Sequence, residues 1–482
     1  MNVLEKLKPG GVFRFFEAIS GIPRGSGNEK GIGDYLVGFA ERRGLYVFRD
    51  DSLNVIIKKP GSYGYEDSPP VLLQGHVDMV CEKNAGTAHD FENDPLKLII
   101  DGDFIRADGT TLGADNGIAV AYILALLDSD DIPHPPIEAA LTTNEEIGLE
   151  GAAAIEADKL SAKRMINFDC GREGVFTVSC AGGLMTSVTF DAKKTGAPEG
   201  YEFLQIDISG LSGGHSGADI HLGKANANVL LGRLLYALDK KYDVRLADIG
   251  GGMKDNAIPR ESFAVVAARP GDIEKITEEA ARFNKIFIDE YLTTDPGLKL
   301  TVKRAATGAV YAKNILGDVA AVILTIPNGA LAMDANIPGL VETSNNLGVI
   351  RAAETGIVLT NALRSSVLSR KELTEARVVA AAEGRGATAV SSNDYPAWPY
   401  RPDSELRKLF IETYRDMYGA EPVAEGIHAG LECGVFGGKI NGLDAIACGP
   451  DMFDVHTPDE RLSVSSTARV WEFLIEILRR LK

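Results

Sequence analysis

The stretch VLLQGHVD, residues 71–78, joins a run of apolar residues to two side chains of the kinds that bind metal ions. The apolar run predicts a buried strand that ends at His76. Two further apolar runs also end beside carboxylates: residues 137–143 before Glu145 and Glu146, and residues 164–168 before Asp169. In open α/β sheets, ligands bind beyond the carboxyl ends of the strands. The pattern therefore predicts an α/β sheet with a binding site at that edge.

Two distant positions extend this set of side chains. Asp115 precedes a helical stretch, residues 117–129, and His456 lies more than 280 residues after Asp169. Taken alone, Asp115 is more typical of a helix cap, because a carboxylate is favoured at a helix N-terminus. The other metal-binding side chains of the set favour a metal ligand instead. Two histidines and four carboxylates are enough for two zinc ions and a base, so the set points to hydrolysis.

Composition excludes several classes of protein. The 482 residues are more than one hydrophobic core normally organises, so two or three domains are expected. Lys and Arg number 50 against 68 Asp and Glu, a net charge of −18. This charge repels phosphate backbones and anionic membranes, so neither nucleic acid nor a membrane is an expected partner.

The cysteines and the N-terminus favour a cytoplasmic protein. Five scattered cysteines without a Cys-x-x-Cys pair do not form a disulfide scaffold or a thiolate zinc finger. The first 16 residues lack the apolar core of a signal peptide, and no apolar segment reaches the length of a membrane helix. We therefore expect a cytoplasmic location.

The sequence pattern changes after Cys180. Residues 184–190 and 203–208 alternate apolar with polar side chains, as half-exposed antiparallel strands do, and helical segments follow at residues 224–240 and 273–291. The proposed ligands lie on both sides of this region, which favours an insertion. We predict a catalytic domain in two parts, residues 1–180 and 391–482, interrupted by an α+β lid or dimerisation domain, residues 181–390.

Six strings of the chain, in order, resemble the aminoacyl-histidine dipeptidases, also called Xaa-His dipeptidases or peptidase D. They are GHVDMVCEK (75–83), GTTLGADNGI (109–118), TTNEEIGLEGA (142–152), SGLSGGHSGADIHLGKANAN (209–228), HAGLECG (428–434) and HTPDER (456–461). This family belongs to the zinc exopeptidase clan that includes the carnosinases. The resemblance implies a dizinc exopeptidase catalytic domain, with a central mixed sheet flanked by helices, and an inserted α+β lid.

The resemblance also assigns roles to the set of metal-binding side chains. It implies that His76 and Asp169 hold one zinc ion, that Glu146 and His456 hold the other, and that Asp115 bridges both. Asp78 would polarise the imidazole of His76 from behind. Glu145 would be the general base, which requires a bend in the chain beside Glu146. Cobalt or manganese would also suit these ligands.

Four further positions are candidates for contact with substrate. His215, in a glycine-rich turn, would donate to the oxyanion of the tetrahedral intermediate, or would be only a surface histidine. Arg364 resembles the arginine of the family that binds the substrate carboxylate, and Asn256 would add a hydrogen bond; both are equally typical of surface or turn residues. Glu432 would meet the free amino group of the substrate.

The predicted function is hydrolysis of Xaa-His dipeptides, carnosine-like β-alanyl-histidine included, by a zinc-activated water. Two alternatives remain open at this stage. One is a related dizinc amidohydrolase that removes acyl groups from N-acyl amino acids. The other is a metal-dependent binding protein without catalysis, against which Glu145 argues because a binder needs no base. A homodimer formed through the lid is compatible with the sequence.

Overall fold

The structure is a computed structural model that describes residues 3–306 and 308–482. Its α-helices are α1 (Gly10–Ser20), α2 (Lys30–Arg42), α3 (Ala114–Asp128), α4 (Glu150–Ala154), α5 (Ala227–Lys241), α6 (Ile273–Glu290), α7 (Lys313–Thr325), α8 (Leu368–Glu383), α9 (Glu405–Tyr418), α10 (Glu432–Lys439) and α11 (Val464–Arg480). Its strands are β1 (Tyr46–Arg49), β2 (Val55–Lys59), β3 (Val71–His76), β4 (Leu98–Asp101), β5 (Phe104–Ala107), β6 (Ile137–Thr142), β7 (Arg164–Asn167), β8 (Val175–Cys180), β9 (Gly182–Asp191), β10 (Lys194–Gly196), β11 (Glu202–Ser209), β12 (Gly214–His215), β13 (Arg245–Gly251), β14 (Ala257–Ile258), β15 (Ser262–Ala268), β16 (Lys299–Ala305), β17 (Ala309–Tyr311), β18 (Gly329–Met333), β19 (Val341–Ala353), β20 (Gly356–Ser365), β21 (Thr388–Tyr395), β22 (Val423–Ile427), β23 (Asp444–Ala447), β24 (Met452–Phe453) and β25 (Arg461–Ser463).

The chain divides into two compact units. Unit 1 contains residues 1–180, 398–426 and 431–482, and unit 2 contains residues 181–397 and 427–430. The predicted limit between residues 390 and 391 falls inside β21, which pairs with β9 of unit 2. Strand pairing therefore keeps the whole of β21 in the second unit.

Unit 1 is built on a mixed sheet of order β1-β2-β6-β3-β7-β23-β8-β22. Strand β3 runs parallel to both β6 and β7, and β7 runs parallel to β23. Every residue of β3 and of β6 is buried, as their apolar sequences require of strands covered on both faces. The carboxyl ends of β3, β6 and β7 consequently meet at one edge, as predicted.

Helix α3 is buried along almost its whole length and packs against β3 and α1. The C-terminal helix α11 buries the apolar stripe Val470, Phe473, Leu474, Ile477 and Leu478. A small antiparallel sheet of order β24-β25-β5-β4 accompanies the main sheet of this unit. It carries the segment around His456, between β24 and β25.

Unit 2 is an antiparallel sheet of order β16-β11-β15-β13-β19-β20-β9-β21, with β18 added beside β19. Its core joins one face of this sheet to apolar residues of α5, α6 and α7. The observed fold is the mixed α/β and inserted α+β arrangement that the sequence predicts. No helix within the described residues is long and apolar enough to span a membrane.

The segment after Glu145 and Glu146 forms the short helix α4, which ends before the buried Ile155, and one 3-10 turn at Ala157–Lys159. One predicted helix begins later in the structure than in the sequence. The helix predicted from residue 224 begins at Ala227. There the side chain of Asn226 accepts hydrogen bonds from the backbone of Asn228 and Val229 and so fixes the start.

Candidate metal centre

One carboxylate faces two imidazoles at the predicted site. Oδ1 of Asp115 lies 3.2 Å from Nε2 of His76, and Oδ2 lies 3.2 Å from Nε2 of His456. The backbone of Asp115 leaves the helical region (φ −78°, ψ 108°), although the residue lies within the first turn of α3. Both oxygens of its carboxylate face imidazoles and not the N–H groups of the helix, so the carboxylate is not used as a helix cap. It is placed as a bridging ligand would be.

Glu146 completes a set that fits a metal ion. Ligand atoms of His76, Asp115 and Glu146 all lie within 4.8 Å of one another. Oε1 of Glu146 is buried and lies 2.9 Å from Nε2 of His456, yet the two atoms do not have the geometry of a hydrogen bond. Their placement is instead the one expected of two ligands of the same metal ion. Imidazole and carboxylate donors in this arrangement fit zinc.

Asp78 lies behind His76 and also holds the next loop. Its Oδ1 is 3.3 Å from Nδ1 of His76 and accepts a hydrogen bond of 3.1 Å from the backbone N–H of Glu145. Its Oδ2 accepts one of 3.3 Å from the N–H of Glu146. A single buried carboxylate thus orients one imidazole and fixes the backbone of both glutamates, in the manner of carboxylates behind metal-bound histidines.

The bend required beside Glu146 is present at Asn144, whose φ is +50°. After this turn, Oε2 of Glu145 lies 3.9 Å from Nε2 of His76, and the side chain is 14% exposed. Burial, together with the negative charges of Asp169 and Glu432, raises the pKa of Glu145 well above its usual value. A carboxyl group with a raised pKa at the edge of a metal site is suited to accept and return a proton.

Asp169 lies within the electrostatic reach of the same cluster. Burial, and then the charge of Asp115, raises the pKa of Asp169 to about 8. The imidazoles of His456 and His76 hold the pKa of Asp115 below its usual value despite burial. So many buried carboxylates in one place need positive charge, which a divalent cation supplies.

Zinc binding is expected to release protons at neutral pH. Without a cation, Asp169 has a pKa of about 8, and the neighbouring carboxylates of Asp115 and Glu146 raise the pKa of His456 to about 10. Both groups hold protons at pH 7 that must leave before they bind metal. Calorimetric titration with zinc in two buffers of different ionisation enthalpy measures this release. Zinc affinity that stays constant between about pH 6 and pH 8, without proton release, would contradict the ligand assignment.

Glu432, the first residue of α10, is 1% exposed within unit 1. Its Oε2 accepts hydrogen bonds from Nε2 of Gln74 on β3 and, at 2.8 Å, from the hydroxyl of Thr142 on β6. Burial raises its pKa to about 7. These hydrogen bonds connect the carboxyl ends of β3 and β6. The contact of Glu432 with a substrate amino group stays a prediction.

His215, Asn256 and Arg364 all belong to unit 2. Strand β12 pairs with β14, so that His215 lies opposite Ala257 and the N–H of Ser216 donates to the carbonyl of Asn256 at 2.8 Å. Nδ1 of His215 accepts hydrogen bonds of 3.1 Å from the N–H groups of Gly217 and Ala218. The proton of the neutral ring is therefore assigned to Nε2, which leaves that atom as a donor.

Arg364 on β20 donates to the hydroxyl of Tyr395 at 2.9 Å. Burial, and then the charge of Arg364, lowers the pKa of His215 and brings that of His428 to about 3. His428 itself lies 2.7 Å, Nε2 to Oγ, from Ser344. Unit 2 thus places His215 next to Asn256 and within the electrostatic influence of Arg364, whose positive charge suits an anionic ligand.

Sequence reasoning missed several residues that support the centre. Oδ1 of Asn116 accepts from the N–H of His76, and its Nδ2 donates to the carbonyl of Phe168, next to Asp169. The buried Glu460 accepts hydrogen bonds from the backbone N–H groups of Leu112, Gly113 and Asp115. Both lie within strings that carry the family resemblance. Their supporting roles depend on burial, which those strings do not reveal.

Comparison with known proteins agrees with this geometry. Residues 72–480 match the model of Peptidase family M20/M25/M40. The cytosol non-specific dipeptidase of Escherichia coli (strain K12) is 35% identical over 483 residues, which cover 100% of this chain and 99% of that protein. The crystal structure of aminoacylhistidine dipeptidase from Vibrio alginolyticus has a TM-score of 0.93 at 37% identity, over 99% of this chain and 98% of that chain.

A more distant structure shares the fold alone. Aminopeptidase PepT from Bacillus cereus ATCC 10987 has a TM-score of 0.58 at 15% identity, over 98% of this chain and 99% of that one. The resemblance to aminoacyl-histidine dipeptidases found in the sequence is confirmed by the full-length matches. On the family match and the close relatives, the chain belongs to peptidase family M20/M25/M40.

Proposed function

We propose that this protein is a dizinc dipeptidase of the cytoplasm that hydrolyses Xaa-His dipeptides, β-alanyl-histidine among them. The observation that carries the proposal is the single carboxylate of Asp115 between His76 and His456, with Glu145 beside them. The names of the two full-length relatives, cytosol non-specific dipeptidase and aminoacylhistidine dipeptidase, support the dipeptide substrate. The E. coli name also supports the cytoplasmic location.

In the proposed reaction, His76 and Asp169 would hold one zinc ion and Glu146 and His456 the other, with Asp115 as a ligand of both. Zinc bound there would lower the pKa of a water and polarise the peptide carbonyl. The carboxylate of Glu145 takes a proton from the attacking water and returns it to the leaving amine. Asp78 keeps the imidazole of His76 oriented and holds the backbone N–H of Glu145, so that the base stays beside the reacting atoms.

We assign His215 as a hydrogen-bond donor to the oxyanion, because its Nδ1 already accepts two backbone hydrogen bonds and its Nε2 carries the proton. Asn256, next to it in unit 2, would donate to the same group of the substrate. Arg364 would bind the substrate carboxylate, for which its planar guanidinium is suited. The positive charge of Arg364 supports an anionic ligand.

Replacing Arg364 with methionine is expected to raise KM for free dipeptides by about 10–100-fold, because a hydrogen-bonded charged group contributes about 1.5–3 kcal/mol. The same dipeptides with an amidated C-terminus lack the carboxylate, so their KM should change little. Arg351→Met provides the control, since Arg351 is an exposed arginine on β19 of the same sheet. Equal losses for free and amidated dipeptides would exclude Arg364 from carboxylate binding.

The proposed substrate class is tested by amino-acid release from a panel of compounds. The panel contains β-alanyl-histidine, other dipeptides, a tripeptide and an N-acetyl amino acid, each with metal-stripped and zinc-restored protein. Zinc-dependent cleavage of dipeptides, fastest with C-terminal histidine, is expected. Cleavage of the N-acetyl amino acid alone would instead identify a deacylase, and activity on none of them would indicate a binding protein.

A further inference from the structure

A short segment between α1 and α2, residues 24–29 (RGSGNE), contacts three loops that carry proposed ligands. It lies outside the family-model match, which begins at residue 72. We propose that this N-terminal brace, residues 24–29, positions the metal centre and sets its affinity for metal. The inference rests on the proposed metal-dependent function and assigns a role to residues that do not themselves touch the metal.

Arg24 joins two of these loops through the backbone. It is 2% exposed, and its Nη1 donates to the carbonyls of Val77 at 2.9 Å and Asp78 at 3.2 Å. Its Nη2 donates to the carbonyl of Gly113 at 2.5 Å. The rigid planar guanidinium thus fixes the distance between the loop that follows His76 and the turn that precedes Asp115.

The glycines around Asp115 make room for this guanidinium. Gly113 has a φ of +64°, and a Cβ there would lie 2.6 Å from Nη2 of Arg24. A Cβ on Gly117 would lie 2.5 Å from the same atom. The spacing of the two glycines, Gly-Ala-Asp-Asn-Gly, is therefore explained by the close approach of a buried arginine on both sides of the proposed bridging ligand.

The rest of the brace contacts Asp78 and the glutamate loop. The hydroxyl of Ser26 donates to Oδ2 of Asp78 at 2.8 Å. The N–H of Gly27 donates to Oδ1 of Asn144 at 3.0 Å, and the N–H of Asn144 donates to the carboxylate of Glu29 at 3.1 Å. Asn144 is the residue at which the chain bends before Glu145. The brace therefore holds both the bend and the carboxylate behind His76.

Nearby carboxylates offset part of the cost of burying the charge of Arg24. Burial lowers the pKa of Arg24, and the carboxylates of Glu460, Asp78 and Asp115 act in the opposite direction and favour the charged guanidinium. Glu460 holds the other side of the Asp115 turn through three backbone N–H groups. A cation fixed by the protein in this way offsets part of the repulsion among the acidic side chains before any metal binds.

The opposing explanation is that Arg24 only stabilises the fold. Arg407 on α9 of the same unit separates the two explanations, because it is also buried, at 7% exposure, and its guanidinium also donates to backbone carbonyls. Its acceptors, Arg401 and Pro402, belong to no ligand-bearing loop. Arg407→Met is therefore the matched control for Arg24→Met. Ser26→Ala serves as a milder second variant that removes one partly buried hydrogen bond to Asp78.

The experiment measures the zinc dissociation constant of the full chain by competition with a chelator, alongside Tm and the absorption spectrum of the cobalt-loaded protein. Arg24→Met is expected to weaken zinc binding by about 10–100-fold and to alter the cobalt spectrum, as loss of groups behind metal ligands commonly does. Ser26→Ala should weaken it by about tenfold. Arg407→Met should lower Tm and leave zinc affinity and the cobalt spectrum unchanged.

Zinc affinity unchanged in Ser26→Ala, and in folded Arg24→Met, would overturn the proposal. If Arg24→Met does not fold, Ser26→Ala decides the result alone. Because these measurements use metal and no substrate, they are independent of the dipeptide assay. Absence of dipeptide cleavage by the unaltered protein would refute the proposed function and would leave the role of the brace to be decided by zinc affinity.

Discussion

Glu145→Gln is expected to lower kcat for β-alanyl-histidine by about 10²–10⁴-fold while the protein keeps its full zinc content. The reason is that Glu145 lies beside the ligand set, with Oε2 3.9 Å from Nε2 of His76, but is assigned no metal. Glutamine preserves the shape of the side chain and cannot take a proton from water. Steady-state kinetics and zinc analysis of the same sample measure the two effects.

The neighbouring glutamate supplies the control for this experiment. Glu146→Gln alters a side chain of equal size whose Oε1 lies 2.9 Å from Nε2 of His456, and it should weaken zinc binding as well as lower the rate. Two adjacent substitutions thus have different expected results. Loss of zinc from Glu145→Gln would show that Glu145 is a ligand and would refute its assignment as the base.

Asp115→Ala is expected to have the larger effect, because one carboxylate faces both histidines of the site. Zinc affinity should fall by more than about 100-fold, beyond the loss caused by removing a group that only supports a ligand. Dipeptide hydrolysis should fall below detection at zinc concentrations that saturate the unaltered protein. Zinc titration followed by the dipeptide assay measures both quantities.

Asp444→Ala is the matched control for this substitution. Asp444 is a 9% exposed aspartate on β23 of the same unit, where its carboxylate accepts hydrogen bonds from the hydroxyl of Ser404 and the N–H of Leu406. Its loss should destabilise the fold without weakening zinc binding. If Asp115→Ala bound zinc as tightly as Asp444→Ala, Asp115 would not be a bridging ligand.

Strand ends make the positions of some proposed ligands readable from the sequence. Apolar runs are readable as buried strands, and parallel strands must present their carboxyl ends at the same edge, so His76 and Glu146 were expected together. Asp115 was ambiguous, because a helix cap and a metal ligand have the same sequence signature. Only the distances from its carboxylate to two imidazoles distinguish them.

The supporting residues were not predictable in this way. Arg24 looks like any surface arginine in the sequence, and its burial depends on two glycines about 90 residues further along the chain. The contact of Glu432 with the substrate stays a prediction, and its hydrogen bonds to Gln74 and Thr142 within unit 1 are not visible in the sequence. Such networks form where segments that are distant in the chain pack together. Patterns in a single sequence do not show which distant segments do so.

Zinc titration of the metal-stripped protein, with bound zinc and β-alanyl-histidine hydrolysis followed together, is the measurement to make first. Hydrolysis should be absent from the stripped protein and should return in step with zinc binding, up to two zinc ions per chain. This dependence follows from the proposed role of Asp115 as a ligand of both zinc ions. Full hydrolysis by the stripped protein, or saturation with zinc that restores no dipeptide hydrolysis, would contradict the assignment of this centre as the catalytic site of a dizinc dipeptidase.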